Sequence, residues 1–139
     1  KLDEPITGVQ PDRASVIRRA EAAGLKDRNR SVVWLDDGVG AVMDYLARLD
    51  LERETLFVFL TDHGMKGGKG SNYEGGVHMP LIFRWPGRIG AGTVSDVAWA
   101  HWDVLPTCAE IAGVESPRNI DGVSVLPTFE DLATALAGL

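Results

Sequence analysis

Asp62 and His63 stand side by side at the end of an apolar run, and a carboxylate next to a ring nitrogen can share a divalent cation. Directly after them, a loop carries six glycines between Gly64 and Gly76, together with Lys66, Lys69, Ser71, Asn72, Tyr73 and Glu74. Glycines allow close backbone approach while the lysines supply positive charge, so the loop has the makings of an oxyanion cradle. The plainer alternatives are an ordinary polar exit from a strand, with Asp62 capping the next turn, and a solvated surface loop. His78 closes the loop, either by fixing its end or by touching a substrate.

These residues need a frame. The run 55–61, TLFVFLT, is almost continuously apolar and rich in β-branched and aromatic residues, as expected of a strand covered on both faces in a parallel sheet. Open α/β sheets place ligands outside the carboxyl ends of such strands, which is where Asp62 falls. A second apolar strand is expected over 79–85, with Pro80 near its start where a missing N–H is tolerable.

The motifs TDHG, GGKGSNYEGG, PLIFRWPGRIGAGTVSD and HWDVLPT resemble the second half of the catalytic domain of the sulfatases, in the alkaline phosphatase superfamily. The resemblance runs from about Trp34 to Pro127, and its specific centre is a lysine followed by Gly-x-x-Tyr-Glu-Gly-Gly. It implies an α/β fold, a partial alkaline-phosphatase/sulfatase-like sheet flanked by helices. It also implies that Asp62 and His63 lie at a divalent cation, usually calcium, and that Lys69 contacts the sulfate ester; the family often has Asn where His63 stands. Tyr73 and Glu74 would shape the loop, and His78 is a candidate substrate contact.

The same resemblance makes some absences informative. The family's nucleophile is a formylglycine made within Cys/Ser-x-Pro-x-Arg, and no such motif occurs here: Cys108 is followed by AEIAG, and Ser116-Pro117-Arg118 lacks the intervening positions. Asp36-Asp37 looks like the family's early acidic pair but sits inside a helical pattern. The residues 1–139 are therefore expected to be one domain, a fragment of a larger sulfatase catalytic domain whose nucleophile-bearing half is absent, with formylglycine only in that half. The complete parent would hydrolyse sulfate esters. Two alternatives stay open: a phosphonate or phosphate ester hydrolase of the same superfamily, and a catalytically inactive module that binds an anion or completes a partner chain.

Composition agrees with a globular chain, 45% hydrophobic and 24% charged, and a formal charge of −6 argues against a nucleic-acid surface. One cysteine excludes an internal disulfide and permits either redox compartment. No stretch approaches the roughly 20 apolar residues of a membrane span, and 1–12 lacks a signal-like apolar core, so localisation is left undetermined. A homo-oligomer is expected to cover an exposed sheet edge.

The remaining expectations concern the scaffold. Residues 1–11 read as an extended lead-in, Asp12 as the N-cap of a helix to Ala23, and 26–30 as a solvated turn. Val32, Leu35, Val39, Val42, Leu46 and Leu49 form an apolar core stripe on a helix of about five turns, with Gly38 and Gly40 packed against a sheet and Asp36 and Asp37 facing solvent or a helix neighbour. A short strand is expected over 93–100, with Trp99 and Trp102 in the core. Asp103 should cap the next helix, Cys108 be a buried thiol, and 131–136 form a last helical turn.

Overall fold

A computed structural model describes residues 12–26, 29–64 and 67–129. The lead-in 1–11, the middle of the connector 26–30, Lys66 and the last turn over 131–136 lie outside the described residues. The chain divides into two compact units, 1–52 and 53–139. Among the described residues no helix is long and apolar enough to cross a membrane.

The first unit holds α1 (Arg13–Ala22) and α2 (Arg30–Arg48). Asp12 starts α1 as expected, its Oδ1 accepting the Ser15 N–H at 2.7 Å, and Gly24 adopts φ +70° just beyond its end. Arg19 of α1 forks onto Asp37 of α2, Nη1–Oδ1 2.8 Å and Nη2–Oδ2 2.5 Å. Asp37 thus faces a helix neighbour, and its hydrogen bonds hold the Arg19 guanidinium above its usual pKa. The α2 stripe corrects the sequence expectation: no α2 residue is buried, and Val32, Leu35, Val42 and Leu49 are each about half exposed or more. Within this unit the reason is length, since ten residues of α1 span about 15 Å and nineteen of α2 about 28 Å. A side chain at Gly40 would meet open space, so close packing does not account for that glycine.

The second unit is built on β1 (Phe57–Leu60), α3 (Glu74–Val77), β2 (Leu81–Arg84) and α4 (Val104–Ile111). The strands pair antiparallel, from Phe57 opposite Arg84 to Leu60 opposite Leu81, which corrects the parallel expectation for 55–61. A parallel return needs a crossover of a dozen or more residues, usually helical, whereas the described part of the link holds only the single turn of α3. β1 is also not covered on both faces: Phe57, Val58 and Phe59 are half-buried and Leu60 is exposed. The Trp85 indole donates to the Arg53 carbonyl at 2.9 Å and closes the far end of the hairpin.

Phe83, Trp99 and Phe129 pack with centroids 4.5 to 5.9 Å apart. Phe129 and Val125 bracket a helical turn at 126–129, and both are buried. Trp99 is in the cluster as expected, but Trp102 is 64% exposed. Residues 93–100 form no strand; Thr93 Oγ1 donates to the Gly90 carbonyl and the Val97 N–H to Ser95 Oγ. Local side-chain bonds of this kind compete with ladder pairing.

Asp103 occupies the start of α4 without capping it. Its Oδ2 accepts the Ala100 N–H at 2.9 Å and its Oδ1 the Val123 N–H at 3.0 Å. Thr107 Oγ1 donates to the Asp103 carbonyl and accepts from the Val125 N–H. Buried Asp103 and Thr107 therefore tie a 3-10 turn (His101–Asp103) and 123–125 to α4. Cys108 is exposed, which corrects the buried-thiol expectation. The inward face of α4 carries Pro106, Thr107 and Ala109, while Leu105, Cys108 and Ala112 fall on the outward one.

Candidate functional site

β1 ends at Leu60, and the next three residues turn away from the ladder. The Asp62 side chain is 85% exposed. His63 Nδ1 lies 2.8 Å from the Gly64 carbonyl, so this nitrogen carries the proton and donates. The other nitrogen, Nε2, lies 3.3 Å from Asp62 Oδ2. Two electron-pair donors facing each other are satisfied by a shared proton or cation, and a backbone acceptor on the opposite ring nitrogen is how metal-binding histidines are usually oriented. Beside them, Thr61 Oγ1 is buried with no hydrogen-bond partner among the described residues. The same residues contain no group of three or more His, Cys, Asp or Glu side chains converging on one point, so Asp62 and His63 are at most part of a metal shell.

The glycine loop is fastened to this strand exit. The Gly64 N–H donates to the Gly76 carbonyl at 3.0 Å. A Cβ at Gly64 would sit 1.9 Å from the Gly75 carbonyl oxygen, and one at Gly68 would sit 1.8 Å from the same atom, so only glycine permits the approach at either place. Between these contacts the Ser71 N–H bonds the Gly68 carbonyl at 2.9 Å, with Gly70 at φ +77°. That is a β-turn with positive φ at its third position, and Lys69 occupies the second. The turn presents an exposed ammonium, and no ion pair joins it to another described residue.

An open cleft of about 1150 Å³ lies in the same unit, lined by Asp62, Glu74, His78, Trp99, His101 and Trp102 among others. Asp62 and His78 thus share a cleft, while His63 and Lys69 lie outside its lining. His78 Nδ1 engages the Glu74 carboxylate one helical turn back, both side chains being largely exposed. His101 is the residue that sequence reasoning left without a role. Its Nε2 lies 2.7 Å from the Thr61 carbonyl oxygen, forty positions away in the chain. No local spacing signals such a contact; only the fold brings it about.

A model of the Sulfatase family matches residues 7–114. The chain belongs to the sulfatase family. It is 40% identical over 118 residues to mouse steryl-sulfatase, covering 70% of this chain and 19% of that protein. It is 35% identical over 123 residues to human arylsulfatase A, covering 78% of this chain and 24% of that protein. This sulfatase chain therefore spans about a fifth to a quarter of the length of these relatives. Among solved structures it is similar to Ps i-CgsB in complex with k-i-k-neocarrahexaose, with a TM-score of 0.71 at 28% identity over 92% of this chain and 32% of the other. A second, solved with its substrate D-glucosamine-2-N,6-O-disulfate, gives a TM-score of 0.66 at 28% identity over 85% and 28%. These likenesses establish the α/β sulfatase fold expected from the motifs.

Proposed function

We propose that this chain is the metal- and sulfate-binding half of a sulfatase catalytic domain whose complete parent hydrolyses sulfate esters. The observation that carries the reading is that the Asp62-His63 strand exit and the turn presenting Lys69 both pack on the start of α3: the Gly64 N–H bonds the Gly76 carbonyl, and Gly64 and Gly68 both abut the Gly75 carbonyl oxygen. Asp62 and His63 fit a divalent cation by donor type and by the direction of His63 Nε2, and they would hold it, calcium being the ion the resemblance implies. A bound cation supplies Lewis-acid polarisation of sulfate oxygens. Lys69 adds a positive charge that holds the sulfate oxygens and offsets the charge developing in the transition state as the nucleophile attacks sulfur and the alcohol oxygen leaves. His78 donates from Nδ1 to Glu74, which leaves Nε2 free to meet a substrate hydroxyl. The attacking formylglycine comes from outside these residues, because no Cys/Ser-x-Pro-x-Arg motif occurs among them.

The test is the metal content of the protein as its own source produces it, measured beside Asp62→Ala. Loss of the cation together with sulfate ester turnover is expected. A variant with unchanged metal content would overturn the assignment of Asp62.

A further inference from the structure

Resting on the metal reading of Asp62 and His63, we propose that His101 is a positioning residue that sets the direction of the Asp62 carboxylate. Its Nε2–H donates to the Thr61 carbonyl oxygen at 2.7 Å. That oxygen belongs to the peptide plane that also contains the Asp62 N–H and Cα. Fixing the plane restricts the torsions on either side, and hence where the Asp62 Cβ points. The strand does not do this by itself: the β1–β2 ladder ends at Leu60 opposite Leu81, one residue short of Thr61.

His101 is well placed to act as an anchor because its own backbone is held. It opens the 3-10 turn His101–Asp103, whose Asp103 N–H bonds the Ala100 carbonyl at 3.0 Å. Buried Asp103 returns a carboxylate oxygen to the Ala100 N–H and gives the other to the Val123 N–H. A chain of contacts thus runs from Asp103 through the turn to the His101 ring, to the Thr61 carbonyl and to Asp62. The Thr61 carbonyl can only accept, so Nε2 is the nitrogen that donates, and the contact fixes which edge of the ring faces Thr61. Asp62 and His101 both line the cleft, so the anchor lies beside the group it orients. Partners of this second kind typically change metal affinity by about 10–100-fold when removed.

The experiment titrates calcium by calorimetry into the chelator-stripped protein, in the full-length form its source makes, for wild type, His101→Leu, His101→Gln and His101→Asn. Gln places an amide N–H near the Nε2 position, while Asn stops short of it and Leu has no donor. Calcium binding should weaken about tenfold in His101→Leu and His101→Asn and recover in His101→Gln. Wild-type affinity in the Leu or Asn variant overturns the proposal, as does a folded Gln variant as weak as Asn; if Leu does not fold, the Asn and Gln pair decides. Hydrogen exchange over 57–64 is read on the same proteins without metal. Faster exchange in Leu and Asn, reversed in Gln, supports the anchor, and equal exchange overturns it. A wild type that binds no divalent cation refutes the metal reading alone, and the exchange result then decides the anchor.

Discussion

At the scale of single residues, the glycine loop is held by contacts that leave no room for a side chain. Gly68 abuts the Gly75 carbonyl so closely that Gly68→Ala must displace backbone. It should cost about 1–3 kcal/mol of stability and carry Lys69 out of position, which a denaturant titration and turnover of a sulfate ester would show together. Lys69→Ala is expected to behave differently: its side chain is exposed and makes no ion pair with another described residue, so turnover should fall while the unfolding midpoint stays put. A shared fall in both would mean that the lysine is structural. Asp62, His63, Lys69 and His78 could be singled out because their residue types and the motif around them are local in the chain. His101 could not, because its partner is a backbone carbonyl forty residues earlier, and carbonyls carry no sequence signature.

At the scale of elements, local rules placed α1, α2 and α4, missed the single turn of α3, and did less well with the strands. Asp12, Gly24 and Gly113 punctuate α1 and α4 where capping chemistry puts them. The apolar run in β1 announced a strand, but orientation depends on the returning link, which composition does not describe. Asp103 is the instructive case. It has the residue type and place of an N-cap, yet the Val123 N–H twenty residues later competes for its carboxylate. Thr107 completes that junction, 2% exposed and bonded on both sides. Thr107→Val would keep the shape and strand the Val125 N–H, so a loss of about 1–3 kcal/mol is expected in thermal or chemical unfolding.

At the scale of the whole molecule, this sulfatase chain carries a large apolar surface. Leu35 and Val42 on α2 and Val77 and Ile82 in the second unit are each about half exposed. Periodicity marked the α2 stripe as core, but no residue of it is buried, because periodicity gathers apolar side chains on one face without supplying anything to cover it. We expect the 139 residues alone to self-associate, covering such surface and the edges of β1 and β2 that no described strand pairs, and light scattering across a dilution series would show it. The nucleophile belongs to this scale too. The intact mass of the protein from its source should exceed 15.0 kDa severalfold and include a Cys/Ser-x-Pro-x-Arg segment; a mass of 15.0 kDa would turn the reading toward an anion-binding or partner-completing role.

The hairpin that joins β1 to β2 is fastened at both ends, by Gly64 to Gly76 beside the site and by Trp85 to Arg53 at the other end. Between the two fastenings run four facing residue pairs. Covalent continuity through the exposed turn is therefore not what keeps the strands together. Brief trypsin treatment that cuts after Lys69 should leave a nicked protein whose two pieces travel together on a native column and separate only in denaturant.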